Sequence, residues 1–265
     1  MSQNTAPPGL GFDRHLAEIV KQTDQLRAHL VDADLSATVP SCPDWTLGQL
    51  ARHVGAAHRW VEHIVRTRAS DEVDEDRVPG VPGPGDADRA GLDTWLEEGA
   101  QLLVTALRDA GPDTEVWSWA WDRSPAFWAR RMTHETVVHR ADAALAAGVT
   151  YEVEADVAAD TVDEWLRIVE YAAAEGDPEA VELRGEGRSL HLHATDAPDA
   201  EWLIEFDEDG FGWRRGHEKA TVALRGTVKD LMLAFNRRLS PDDPALEVLG
   251  DRELLDFWLE RAKFS

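Results

Sequence analysis

The sequence predicts a helical bundle over residues 1–180, followed by a small α+β domain over 181–265 with an antiparallel-type sheet. Long segments with apolar residues every three or four positions dominate the chain up to "EGDPEA", and short alternating segments separated by turn residues replace them afterwards. At 265 residues the chain has room for two ordinary domains.

The elements follow in order. Phe12, Leu16, Ile19, Thr23, Leu26 and Leu30 mark an amphipathic helix over 12–31. "VPSCPDW" reads as a proline-bounded loop. Thr46 with Gln49 three residues later is a capping-box pattern, opening a helix to about residue 67 with Leu47, Leu50, Val54, Ala57, Val61 and Ile64 inward. Residues 68–87, acidic and then rich in Pro and Gly, read as a mobile surface connection with a lid role in view. A third helix spans 88–109. In "VWSWAWD", Trp117, Trp119 and Trp121 alternate, which places them on one side of an extended segment as a pocket wall or a bundle plug. A fourth helix runs from Pro125 to Ala147 and stops at Gly148, a natural residue just past a helix end. A fifth covers 154–175. "SLHLHAT", "EWLIEF", "GFGWRR" and "ATVALRG" read as strands, and helices follow at 227–239 and in "DRELLDFWLERAKF".

Composition narrows the function. The net charge of −24 gives a surface that repels phosphate backbones and anionic membranes, so neither nucleic acid nor membrane is an expected partner. No apolar run reaches the roughly 18 residues a membrane helix needs. The start "MSQNTAPPGLGFDRHLAEIV" lacks the basic and apolar regions of a signal peptide, and the single Cys42 fits a reducing compartment. The expected location is cytoplasmic.

The chemistry concentrates in "RRMTHETVVHRAD", residues 130–142. It comes close to the H-E-x-x-H signature of zinc peptidases, but His134 and His139 are five apart. On a helix that separates them by about 140°, so they cannot chelate one ion together. Glu135 and His139 are four apart, about 40°, and share a face with Trp128, Met132, Asp142 and Ala146. With Arg130, Thr133 and Arg140 opposite, this face is expected to be the buried one. A buried carboxylate and imidazole need partners. The pair can hold a metal ion, with a third ligand from His53 or His58 of the second helix, or can form a buried Glu–His or Glu–Arg pair. A His₂Glu set leaves an open coordination position, as catalytic sites do.

"VPSCPDWTLGQLARHVGAAHRW", "VWSW" and "WARRMTHETVVHRADA" resemble the motifs of the mycothiol-dependent maleylpyruvate isomerase family, and "ATVALRGTVKDLMLAFNRRL" resembles its C-terminal domain. The resemblance spans nearly the whole chain. It implies a DinB-like metal-binding four-helix bundle joined to a sterol-carrier-protein-like α+β domain. It implies a divalent metal, usually zinc, on His53, Glu135 and His139, with mycothiol as thiol cosubstrate and a small electrophilic substrate. The host would be an actinobacterium. It also implies an arginine of the second domain that faces the site, for which Arg238 is the match. This chain has Asn236 and Arg237 where the family often has tryptophan and glycine. Metal binding would lower the thiol pKa, and the thiolate would add to an activated carbon. Release after bond rotation makes an isomerase, and retention of the adduct makes an S-transferase. A non-catalytic small-molecule-binding protein that keeps the metal fold is the third expectation.

Arg131 offers a second clamp for a substrate carboxylate, or a salt bridge to Glu135 or Asp142. Asp142 can orient His139. His134 and His58 are expected beside the ligands or at the surface. His191 and His193 alternate with Leu190 and Leu192 and are expected to face solvent; their spacing suits a metal pair, but no third ligand is evident in the sequence.

Overall fold

The stripe of the first segment folds as α1 (Phe12–Leu30), burying Leu16, Ile19, Thr23, Leu26 and Leu30. The computed structural model of the chain describes residues 9–185 and 187–263. Part of the stretch read for a signal peptide, residues 1–8, lies outside them, as does the end of the last helix segment. No helix of the described residues is long and apolar enough to cross a membrane.

The described residues divide into two compact units, Leu10–Tyr151 and a second that comprises Gly9 and the residues from Glu152 onward. The first contains α1, α2 (Leu47–Thr67), α3 (Arg89–Ala110) and α4 (Pro125–Ala147). The helices α1 and α2 each pack against both α3 and α4. Thr46 and Gln49 form the expected capping box at the start of α2, and Gly148 ends α4 at φ 66°, in the left-handed region. Fully buried Leu47, Leu50, Leu92, Leu96 and Leu103 fill the interior. Each contributes roughly 1.5–3 kcal/mol relative to an exposed side chain. Gly55 lets α2 approach α3 closely, since a Cβ there would lie 2.3 Å from a ring carbon of Trp95.

Four expectations for this unit are corrected. The loop "VPSCPDW" contains a short antiparallel hairpin, β1 (Thr38–Val39) with β2 (Cys42–Thr46). The connection 68–87 is packed rather than loose: Val78 and Val81 are buried, and its carbonyls at Val73 and Gly80 accept from the indoles of Trp60 and Trp95. The tryptophan segment is a folded-back loop closed by the Val116 N–H on the Arg123 carbonyl. Trp117 meets Trp60 edge to face and lies tilted against Trp128, while Trp119 and Trp121 meet Phe127 edge to face. Finally, α4 has no solvated back. Thr133, His134 and Arg140 are buried, because α1 covers that side.

The second unit begins earlier than the expected boundary at 180. The helix α5 (Ala155–Ala174) belongs to it and packs on α6 (Val228–Phe235). Asp163 of α5 accepts from the Trp202 indole and from Arg215 of the sheet. The sheet contains β3 (Ser189–Ala194), β4 (Glu201–Phe206), β5 (Phe211–Arg215), β6 (Val222–Gly226) and β7 (Glu247–Gly250), in the order β5-β4-β3-β6-β7. Its pairs are antiparallel except β3 with β6, which run parallel at the centre. The expected antiparallel-type sheet is therefore present, and its one parallel pair arises because β6 joins the free side of β3 and is not the hairpin partner of β5. Leu190, Leu192, Trp202, Ile204, Val222 and Leu224 form the buried face, and α7 (Arg252–Arg261) adds Trp258 between Phe206, Phe211 and Phe235.

Candidate functional site

The capping box sets where α2 begins, and so which of its residues look toward α4. His53 lies one and a half turns in. Its Nε2 is 3.0 Å from Glu135 Oε1, and His139 Nε2 is 3.1 Å from the same oxygen. The donor atoms of His53, Glu135 and His139 all lie within 4.8 Å of one another. The expected Glu135–His139 face and the helix-two histidine thus meet within one unit.

The site is less buried than expected. The side chains of Glu135 and His139 are 19% and 13% exposed, and that of His53 is 37% exposed. Of the polar residues expected on the open side of α4, Thr133 and Arg140 are buried and Arg130 is half-buried. Helix periodicity separates faces but cannot tell which face a bundle leaves open; the α1–α4 packing decides that.

Two of the three ligand candidates are oriented from behind. Asp142 Oδ2 lies 2.8 Å from His139 Nδ1, and its other oxygen accepts from Ser41 of the β1–β2 turn. Arg131 Nη2 donates to Glu135 Oε2 at 3.0 Å. The Trp45 ring walls the site, 4.8 Å from the His53 ring and 6.4 Å from that of His139. The hairpin contributions, Ser41 and Trp45, had no signal in spacing, because they come from a loop.

Burial opposes the charge on Glu135, but His139, His53 and Arg131 outweigh it and hold the carboxyl well below its usual range. Burial likewise opposes protonation of His139, yet Glu135 and Asp142 raise its pKa to about 9. The donors fit a divalent ion of borderline character: two imidazole nitrogens and one carboxylate oxygen, converging, with the remote nitrogen of one imidazole held by a carboxylate.

His58 does not join them. Its Nε2 meets Thr136 Oγ1 at 2.9 Å, and that hydroxyl donates to the Met132 carbonyl, so His58 is the donor. Its Nδ1 is buried with no partner, and burial lowers its pKa to about 4. His134 is buried, its ring 5.7 Å from His15, away from the triad. Arg238 belongs to the second unit, where its Nη1 donates to the Asn236 carbonyl. The residue before it, Arg237, has φ 63°, a conformation in which glycine is at ease.

Residues 16–144 match the family described as mycothiol maleylpyruvate isomerase N-terminal domain, and residues 156–257 match the C-terminal domain of the same proteins. The chain belongs to the mycothiol-dependent maleylpyruvate isomerase family. That is a family of enzymes, and its two domain matches fall on either side of the division after Tyr151. Among solved structures, a crystal structure of the mycothiol-dependent maleylpyruvate isomerase is 17% identical, with TM-score 0.58, covering 90% of this chain and 93% of that one. A histidine-to-alanine mutant of the same enzyme gives 15% identity and TM-score 0.59 at the same coverage. At these identities the likeness establishes the shared family fold. No curated protein matches the chain significantly.

Proposed function

We propose that this protein is a metal-dependent enzyme that uses mycothiol as cosubstrate and adds its thiolate to an electrophilic carbon of a small molecule. Isomerisation of the maleylpyruvate type is the leading reaction, with S-transfer as its counterpart when the adduct is the product. The observation that carries this reading is the convergence of His53, Glu135 and His139 at one partly open point. A divalent ion, zinc by the chemistry of these donors, would be held by those three residues and would supply thiolate at neutral pH by lowering the pKa of a bound thiol.

The chain's own residues prepare this. Asp142 keeps a proton on His139 Nδ1 and so turns Nε2 toward the site. To offer its lone pair, Nε2 must give up the proton it shares with Glu135. Arg131 steadies the far oxygen of Glu135, leaving Oε1 for the centre. Trp45 shields one flank from water. Arg238 is the residue of the second unit proposed for a substrate carboxylate. The left-handed backbone at Arg237 supports that assignment, because glycine is frequent there in the family. A cytoplasmic setting, where low-molecular-weight thiols stay reduced, suits the single cysteine.

The test is elemental analysis of the purified chain, with mycothiol-dependent turnover of maleylpyruvate and a panel of electrophiles assayed alongside. Stoichiometric metal with thiol-dependent product is expected. Bound metal without any product would leave a binding protein in place of an enzyme.

A further inference from the structure

A second convergence of imidazoles lies in the sheet unit, where the proposed thiol chemistry has no use for it. His191 and His193 occupy alternate positions of β3 and so project from one face, opposite buried Leu190 and Leu192. Glu201 of β4 pairs directly with His193 across the antiparallel ladder. Just past β5, the Gly216 N–H extends the ladder onto the Glu201 carbonyl, which brings His217 to the same corner. The result is three imidazoles around one carboxylate oxygen. Glu201 Oε2 lies 2.9 Å from His191 Nε2, 2.9 Å from His193 Nδ1 and 2.6 Å from His217 Nδ1.

Hydrogen bonding alone does not account for this arrangement. A carboxylate oxygen has about two lone pairs to offer, fewer than the three donors aimed at it. The four ligand atoms lie within 4.8 Å of one another, and the three rings stand 5.3–5.6 Å apart, mutually edge-on. Contrary to the solvent-facing expectation, His191 is buried, with its Nε2 turned to the cluster.

We propose that His191, His193, Glu201 and His217 form a second metal site, taking a first-row ion that prefers imidazole, of the Zn²⁺ class. Three nitrogens and one carboxylate oxygen suit such an ion, whereas Mg²⁺ and Ca²⁺ demand oxygen donors. Four protein ligands complete a tetrahedral set and leave no open position, so the ion is structural. It ties β3, β4 and the segment after β5 together at one end of the sheet.

The experiment titrates Zn²⁺ into chelator-stripped full-length protein carrying His53→Ala and His139→Ala, so that the bundle triad is silent. About one equivalent per chain is expected to bind and to raise the Tm of the protein, with excess Mg²⁺ unable to displace it. Co²⁺ in its place is expected to give the visible absorption of a tetrahedral nitrogen–oxygen site. Adding His193→Ala and His217→Ala is expected to abolish the equivalent. His217→Ala alone, at a side chain 71% exposed and so tolerated by the fold, is expected to weaken it at least tenfold. No binding in the triad-silent protein would overturn the proposal, as would binding unchanged by loss of His193 and His217, which would trace it to the acidic surface.

Discussion

Asp142 joins the β1–β2 turn to the ligand helix: its Oδ2 lies 2.8 Å from His139 Nδ1, while Oδ1 accepts from Ser41. The carboxylate fixes which imidazole nitrogen faces His53 and Glu135. Asp142→Ala is expected to lower metal affinity about 10–100-fold while leaving the stoichiometry intact. Competition with a chromophoric chelator measures this. An unchanged affinity would show that His139 needs no such orientation.

Loss of a ligand acts differently. His53→Ala, Glu135→Gln and His139→Ala are each expected to abolish stoichiometric metal at the bundle site and thiol-dependent turnover with it. Because the second cluster also binds zinc, metal content is read in a His193→Ala/His217→Ala background. Full retention in both histidine variants would place the site elsewhere.

The Arg131 side chain, 9% exposed, is engaged with Glu135. Arg131→Met is expected to cost about 1–3 kcal/mol of stability in the metal-free protein, because Glu135 loses a charged donor. Arg131→Lys should recover part of it. Urea unfolding reads both. If Arg131 instead clamps the substrate, the Met variant raises KM with little change in stability.

Buried His58 carries a pH signature. Its folded pKa of about 4 lies below the unfolded value of 6.5, so between them the unfolded chain binds the extra proton. Stability linked to this group is fully present above pH 6.5 and is lost as pH falls toward 4, on the order of 3 kcal/mol in total. His58→Phe is expected to flatten that part of the acid limb, compared by urea unfolding of metal-free protein at pH 7 and pH 5. A limb of unchanged slope would refute it.

Arg237 pays for a left-handed backbone at φ 63°. Arg237→Gly is expected to raise stability by up to about 1 kcal/mol, as thermal unfolding can show. A loss of stability would mean that the arginine side chain holds this turn more than the backbone resists it.

Much of this was legible before any coordinates. The spacing of Glu135 and His139 decided that they share a face, since four residues on a helix subtend about 40° whatever surrounds it. The capping box at Thr46, the glycine stop at Gly148 and the change of period near residue 180 are equally local. The origin of α5 in the second unit was not legible, because its amphipathic stripe suits a bundle or a sheet alike.

Periodicity and capping depend on near neighbours, so the elements and the faces they carry can be read from the residues alone. The choice of His53 over His58 came from the family motif, but which part of α4 stays open, and that Glu201 and His217 complete a cluster on His191 and His193, required the packed fold. Those outcomes depend on helix packing and strand register, where residues distant in the chain meet and spacing carries no information.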